Sequence, residues 1–183
     1  NLQNFKRQKD MLSLLELDEV QISKIRAKCK DIGIEYLTTA FDNKSLEKIS
    51  KLDLKRYKIP SGEITNLPYL RKIGSLKKSI ILSTGMSDLS EVSWALDKLI
   101  EAGSSKNMIT ILHCTSEYPC PFNNVNLKAM NTMANTFEIN VGYSDHTLGI
   151  EVAIAAVTLG AKVIEKHITL NRNMIGPDHK ASI

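Results

Sequence analysis

Short apolar runs rich in β-branched residues alternate along this chain with stretches whose apolar residues recur at helical spacing. The ends of the runs, near Thr39, Glu63, Met86, Thr115, Ser144 and His167, fall 23 to 29 residues apart. That interval is the length of a strand, a helix and two short connections, so it points to repeated βα units around a parallel sheet. Segments 34–40, 57–59, 79–83, 108–114, 139–143 and 163–168 read as six strands. Between them, Asp18 with Gln21 and Asp88 with Glu91 have capping-box spacing, each opening a helix. The first carries Ile22, Ile25, Cys29 and Ile32 on one face up to Gly33, and the second carries Val92, Ala95, Leu96, Leu99 and Ile100 up to Gly103. Asn43 is placed to cap a helix bearing Leu46, Ile49 and Leu52; shorter helices are expected at 68–73 and 125–134, and a largely buried one at 150–159. Eight such units make a barrel of roughly 250 residues. Six units in 183 residues therefore fit a truncated barrel, but a complete doubly wound sheet has the same period, and periodicity leaves both open.

Charge and apolar content narrow the partners. The 24 Lys and Arg stand against 20 Asp and Glu, with no run of like charges, which gives no footprint for nucleic acid or an anionic membrane but leaves room for a small anion. The most apolar stretch, 152–164, is broken by Thr158, Gly160 and Lys162, short of the roughly 20 apolar residues of a membrane span. Cys29, Cys114 and Cys120 form no Cys-x-x-Cys pair and suit reduced thiols, hence a cytoplasmic setting. The chain has no initiating Met and stops at Ile183, which reads as a piece of a longer protein.

In a βα barrel the chemistry sits where strands end, and here those positions are polar throughout. They are Thr38 and Thr39; Lys58, Ser61 and Glu63; Ser83 and Thr84; His113, Thr115, Ser116 and Tyr118; Ser144, Asp145 and His146; Glu165, Lys166 and His167. Lys58, Ser61 and Glu63 put a cation, a hydroxyl and a carboxylate within six residues at a turn, and Ser83 with Thr84 and Gly85 adds hydroxyls and backbone N–H groups, together a plausible anion cradle. His146 and His167 end successive strands and are spaced to share one metal with oxygen ligands, Asp145 and Asp178 being the nearby carboxylates. His113 and Cys114 read as core, and Cys114 has no base beside it.

Seven ordered motifs, EYLTTAFD (35–42), YKIPSGE (57–63), ILSTGM (81–86), HCTSEYP (113–119), GYSDHT (142–147), EKHIT (165–169) and GPDHKAS (176–182), together resemble the sialic acid synthase family, the N-acetylneuraminate synthases with their legionaminate and pseudaminate relatives. The resemblance implies a (β/α)8 TIM barrel of which this chain covers about six βα units, strands 3 to 8, with the first two strands and a C-terminal antifreeze-like domain absent. It implies condensation of phosphoenolpyruvate with N-acetylmannosamine to give N-acetylneuraminate and phosphate, in a cytoplasmic homodimer, and an inactive segment when isolated. It further implies a divalent metal, Mn2+ first and Mg2+ or Co2+ as alternatives, held by His146 and His167. Carried over residue by residue, Glu63, His146 and His167 would be catalytic. Thr39, Lys58, Ser61, Ser83 and Ser144 would bind phosphoenolpyruvate, and Ser116, Tyr118 and Asp178 the sugar side. Three other readings stand beside it: a legionaminate or pseudaminate synthase acting on a diacetamido hexose, a noncatalytic α/β binding domain, and an aldolase using Lys58 or Lys166 as a Schiff base.

Overall fold

A computed structural model describes residues 8–183. Helices α1 (Gln8–Leu15), α2 (Glu19–Asp31) and α3 (Asn43–Ser50) precede four strand and helix repeats. These are β1 (Arg56–Ile59) with α4 (Leu67–Ser75), β2 (Ser79–Ser83) with α5 (Leu89–Glu101), β3 (Ile109–Cys114) with α6 (Lys128–Phe137), and β4 (Asn140–Asp145) with α7 (Glu151–Thr158); β5 (Ile164–Lys166) follows. The five strands pair in parallel in strict chain order. A doubly wound sheet reverses its strand order at a switch point, whereas a barrel adds each strand beside the last. The uninterrupted order therefore decides the question that periodicity left open: the chain is part of a (β/α)8-type barrel.

Because strand side chains alternate, the sheet has two distinct faces. Tyr57, Ile59, Ile80, Leu82, Ile109, Ile111, Val141 and Tyr143 point to the helices and form the main core with Leu70, Leu96, Leu99, Met130 and Met133. The alternate residues, Lys58, Ile81, Ser83, Leu112, Cys114 and Ser144, are buried outside that core, on the face that lines the barrel's interior. The core face is apolar except at the carboxyl ends of β3, β4 and β5, where His113, Asp145 and Lys166 stand, while the interior face turns polar towards the carboxyl ends of the strands.

Both capping boxes form as expected, with Asp18 and Asp88 each accepting from the N3 backbone and receiving the N3 side chain at their own N–H. Four expectations are corrected. Segment 34–40 is neither helix nor strand and joins no ladder among the described residues; its ties to the neighbouring elements run through side chains, Arg56 bonding Glu35 at 2.8 and 3.0 Å and the Tyr69 hydroxyl bonding the Ala40 carbonyl. Among the described residues the sheet thus has five strands, not six. Asp42 rather than Asn43 caps α3, accepting from the Ser45 N–H at 2.8 Å. Helix α6 begins three residues later than expected because Asn126 adopts a left-handed conformation with φ of 45°, which ends the preceding 3₁₀ turn and resets the chain. Helix α7 is not largely buried: only Ala156 is fully covered and Ile154 is 58% exposed. Its sequence is apolar all round, but one sheet can cover only one side of a helix.

Gly142 marks the closest approach in the sheet. A Cβ there would overlap the Val163 carbonyl oxygen, which accepts the Tyr143 N–H, and would lie 2.7 Å from a Leu112 methyl. Gly142→Ala is expected to cost about 1–3 kcal/mol through overpacking, read as a fall of several degrees in Tm; an unchanged Tm would mean that β4 and β5 are spaced more widely than described.

Candidate functional site

The interior ends of β1, β2, β4 and β5 meet in one connected polar group. Lys58 reaches across to β2, where its Nζ donates to Ser83 Oγ at 2.8 Å, and across the interior to Glu165 Oε2 at 3.5 Å. Register places Ser144 directly opposite Glu165, and the Ser144 hydroxyl donates to Glu165 Oε1 at 2.7 Å. Two residues further along each strand, on the same face, stand His146 and His167, with ring centroids 5.7 Å apart. The Tyr118 ring lies tilted 4.0 Å from the His146 centroid and meets the His167 ring edge-on at 5.7 Å, so it covers both imidazoles from one side. Burial, with the nearby charges of Cys114, Asp178 and Glu165, pushes the Tyr118 hydroxyl up to about 12. It stays protonated and can donate.

The hydrogen bonds of His146 fix its tautomer. Nδ1 faces the Thr115 carbonyl oxygen at 2.7 Å, and since a carbonyl can only accept, Nδ1 carries the proton. Nε2 is then a lone pair. Ser144 Oγ stands 3.2 Å from it, but the single hydroxyl proton is committed to the shorter bond with Glu165. Burial holds the His146 pKa below its usual value, opposed by the Thr115 bond and reinforced by His167. A neutral, oriented and undonated imidazole nitrogen, with a backbone acceptor behind it and a second imidazole close by, is the donor set that borderline divalent metals prefer. The residues therefore fit such an ion. Among the described residues no group of three or more His, Cys, Asp or Glu converges on the pair. Asp145, read from sequence as a nearby carboxylate, faces the opposite side of the sheet and is paired with Lys166 at 2.8 Å.

A second grouping surrounds Gly85. A Cβ built there would lie 2.5 Å from Ser116 Oγ, 3.0 Å from Cys114 Sγ and 3.2 Å from Ser61 Oγ, so side chains from the ends of β1 and β3 close around a space only glycine leaves free. Ser61 and Ser116 are brought together here, beside β2. Thr39 is half-buried on segment 34–40, with no hydrogen bond to the Lys58 group among the described residues. Glu63 Oε2 accepts from Asn66 Nδ2 at 2.6 Å, in a 3₁₀ turn beyond β1, and has no hydrogen bond to either histidine among the described residues. Asp178 lies in the 176–182 loop, its carbonyl accepting the Ser182 hydroxyl. His113 is half-buried and bonded to the Val125 carbonyl, and Cys114 is buried on the interior face, so neither belongs to the main core expected of both. Sequence reasoning missed Glu165 as a site residue. The available signal was period two, since Ser144 and His146 on one strand and Glu165 and His167 on the next must share a face.

The chain belongs to the NeuB family, whose model matches residues 1–183. It is 54% identical over 180 residues to the N,N'-diacetyllegionaminic acid synthase of Campylobacter jejuni, covering 98% of this chain and 54% of that protein. It is 49% identical over 178 residues to the enzyme of the same name from Legionella pneumophila, covering 96% and 50%. The chain thus spans about half the length of these curated relatives. Among solved structures it resembles the N-acetylneuraminic acid synthetase of Leptospira borgpetersenii in complex with citrate, with a TM-score of 0.89 and 29% identity over all of this chain and 64% of that one. No helix among the described residues is long and apolar enough to cross a membrane.

Burial pushes the Cys114 thiol up and keeps it covered, so in the native protein it should resist a thiol reagent at neutral pH. Gly85→Ala is expected to displace Ser116 and Cys114 and make Cys114 label readily, followed by peptide mapping to separate it from Cys29 and Cys120; protection equal to wild type would show that the Gly85 cluster is not close-packed.

Proposed function

We propose that the whole protein condenses phosphoenolpyruvate with a 2,4-diacetamido hexose, giving a legionaminate-type nine-carbon 2-keto acid and inorganic phosphate. The observation that carries this reading is the joining of a buried lysine and two hydroxyls to an oriented imidazole pair at the ends of adjacent parallel strands. Within that reaction class, the identities of 54% and 49% to the two diacetyllegionaminic acid synthases, against 29% to the sialic acid synthetase, favour the diacetamido sugar over N-acetylmannosamine.

In this reading Lys58, with Ser83 and Ser61, binds the carboxylate and phosphate of phosphoenolpyruvate, since a desolvated cation with fixed hydroxyls suits an anion. A divalent ion on His146 and His167, Mn2+ by family resemblance, would supply Lewis acidity towards the aldehyde oxygen of the open-chain sugar. The phosphoenolpyruvate methylene carbon attacks the aldehyde carbon. A carbon–carbon bond forms, the aldehyde oxygen takes a proton, and positive charge develops at C2. Water adds there, and the C2–O bond to phosphate breaks with loss of the water's second proton, leaving the ketone. Glu165 holds Ser144 and Lys58 in place and puts negative charge beside the developing cation. Glu63, with Oε2 anchored by Asn66, is the carboxylate proposed to handle the proton from water. Tyr118 shields the imidazoles, and Tyr118, Ser116 and Asp178 face the sugar. A cytoplasmic homodimer is proposed on the same family resemblance.

Two rival readings are disfavoured by specific contacts. A Schiff base needs a free amine, whereas Lys166 is held between Asp145 Oδ2 and the Thr147 carbonyl at 2.8 Å each, and Lys58 is tied to Ser83 and Glu165. A noncatalytic scaffold gives no reason for His146 to keep an undonated Nε2 in a buried position.

The test is phosphate release by the whole protein with phosphoenolpyruvate, Mn2+ and either 2,4-diacetamido-2,4,6-trideoxymannose or N-acetylmannosamine, with the product mass determined. Release with the diacetamido sugar, abolished by chelation, is expected; preference for N-acetylmannosamine would reverse the sugar assignment, and no release with either would remove the enzyme reading. Lys58→Met should raise the KM for phosphoenolpyruvate at least ~10-fold through loss of a charge-assisted contact, with the sugar KM little changed. Equal effects on both would place Lys58 elsewhere in the reaction.

A further inference from the structure

Behind the two histidines, on the helix-facing side of the sheet, lies an ion pair that the reaction above does not use. Lys166 Nζ donates to Asp145 Oδ2 at 2.8 Å and to the Thr147 carbonyl at 2.8 Å. Asp145 Oδ1 accepts from the Thr147 N–H at 2.9 Å and the Thr147 hydroxyl at 2.7 Å. The Asp145 side chain is fully buried and that of Lys166 is 8% exposed. Replacing such a pair by apolar side chains is often neutral or stabilising, so stability alone does not account for it.

Its position suggests a different task. Asp145 and Lys166 are the last ladder partners of β4 and β5, and the next residue on each strand is a histidine. Asp145 and Thr147 flank His146, and Lys166 precedes His167. Beyond this point no strand pairing holds the two chains together. His146 has its Thr115 bond, but the His167 side chain has no hydrogen bond among the described residues. The His146 carbonyl also accepts the Cys120 N–H at 2.8 Å and the His167 carbonyl the Ile183 N–H at 3.1 Å, but these tie the two histidines to different segments; the link that joins one strand to the other is the one immediately behind them, with the Tyr118 ring in front.

We propose that Asp145, Lys166 and Thr147 form a buried strut that sets the separation of His146 and His167, and through it the affinity of the pair for a divalent ion. They are positioning residues, on the opposite face from the ion, and the inference rests on the reading of His146 and His167 as metal ligands.

The experiment measures Mn2+ binding to the whole protein, without substrates, by electron paramagnetic resonance of the free ion. Far-UV circular dichroism and thermal melting run in parallel. Asp145→Asn with Lys166→Met removes both charges while the Asn oxygen still accepts from Thr147. This double variant should remain folded but bind Mn2+ about 10- to 100-fold more weakly, the range for groups that orient metal ligands. Lys166→Arg, which keeps the cation, should bind close to wild type. The control is His146→Ala with His167→Ala. If that control abolishes Mn2+ binding while the strut variant binds like wild type, the strut is refuted and the metal reading stands. If the control binds Mn2+ normally, the metal reading fails and the strut falls with it. Should the double variant not fold, Thr147→Val decides in its place: it removes one hydrogen bond to Asp145, and unchanged Mn2+ affinity in a folded Thr147→Val protein would overturn the proposal.

Discussion

The register between β4 and β5 is the constraint on which most of this site depends. By setting Ser144 opposite Glu165 and Asp145 opposite Lys166, it gives the two strands a hydroxyl–carboxylate contact on one face and an ion pair on the other. Moving either strand by one residue would exchange the faces. The histidine of the moved strand would then point at the helices, and its member of the charged pair would enter the interior. Gly142 permits this register, because any side chain there would collide with the chain entering β5.

From that pairing the polar group extends across the interior to β1 and β2. Glu165 is its hub, with one carboxylate oxygen towards Ser144 and the other towards Lys58. The arrangement holds a nearly buried lysine without leaving its charge uncompensated, and keeps the lysine pointed at Ser83. A cation kept ready in this way needs little reorganisation to receive an anion, which is the property that makes fixed charges more effective than mobile ones at a reaction centre.

Much of this could be read from the residues, and what could not has identifiable physical causes. Helix α5 and strand β2 follow from local rules: a capping box, a helical stripe, and a run of β-branched residues with clear ends. Segment 34–40 has a strand's composition, but a strand exists only through its partners, and no local feature reports whether a ladder forms. The burial of α7 failed for a related reason, since an all-apolar helix announces affinity for a core but not how many sides are covered. At the site, residue type found His146, His167, Lys58, Ser83 and Ser144. It could not separate Asp145 from Glu165, since both are carboxylates next to the motif; only the alternation of faces shows that one belongs to the polar interior and the other to the strut. The hydrogen bond that Glu63 accepts from Asn66, three residues away, is a contact that type and spacing did not indicate.

The strict chain order of the sheet carries a consequence for how the molecule is made. Paired residues on neighbouring strands are only 21 to 30 positions apart in the chain, so each strand can dock on the one before it with modest loop closure. Among the described strands Lys58 and Ser83 come together before Ser144 and His146 are made, and Glu165, Lys166 and His167 follow on the shortest of them, β5. The lysine and hydroxyl part of the polar group is thus laid down before the imidazole pair exists. A ribosome-bound intermediate that lacks β5 would have its lysine in place and only one of its histidines.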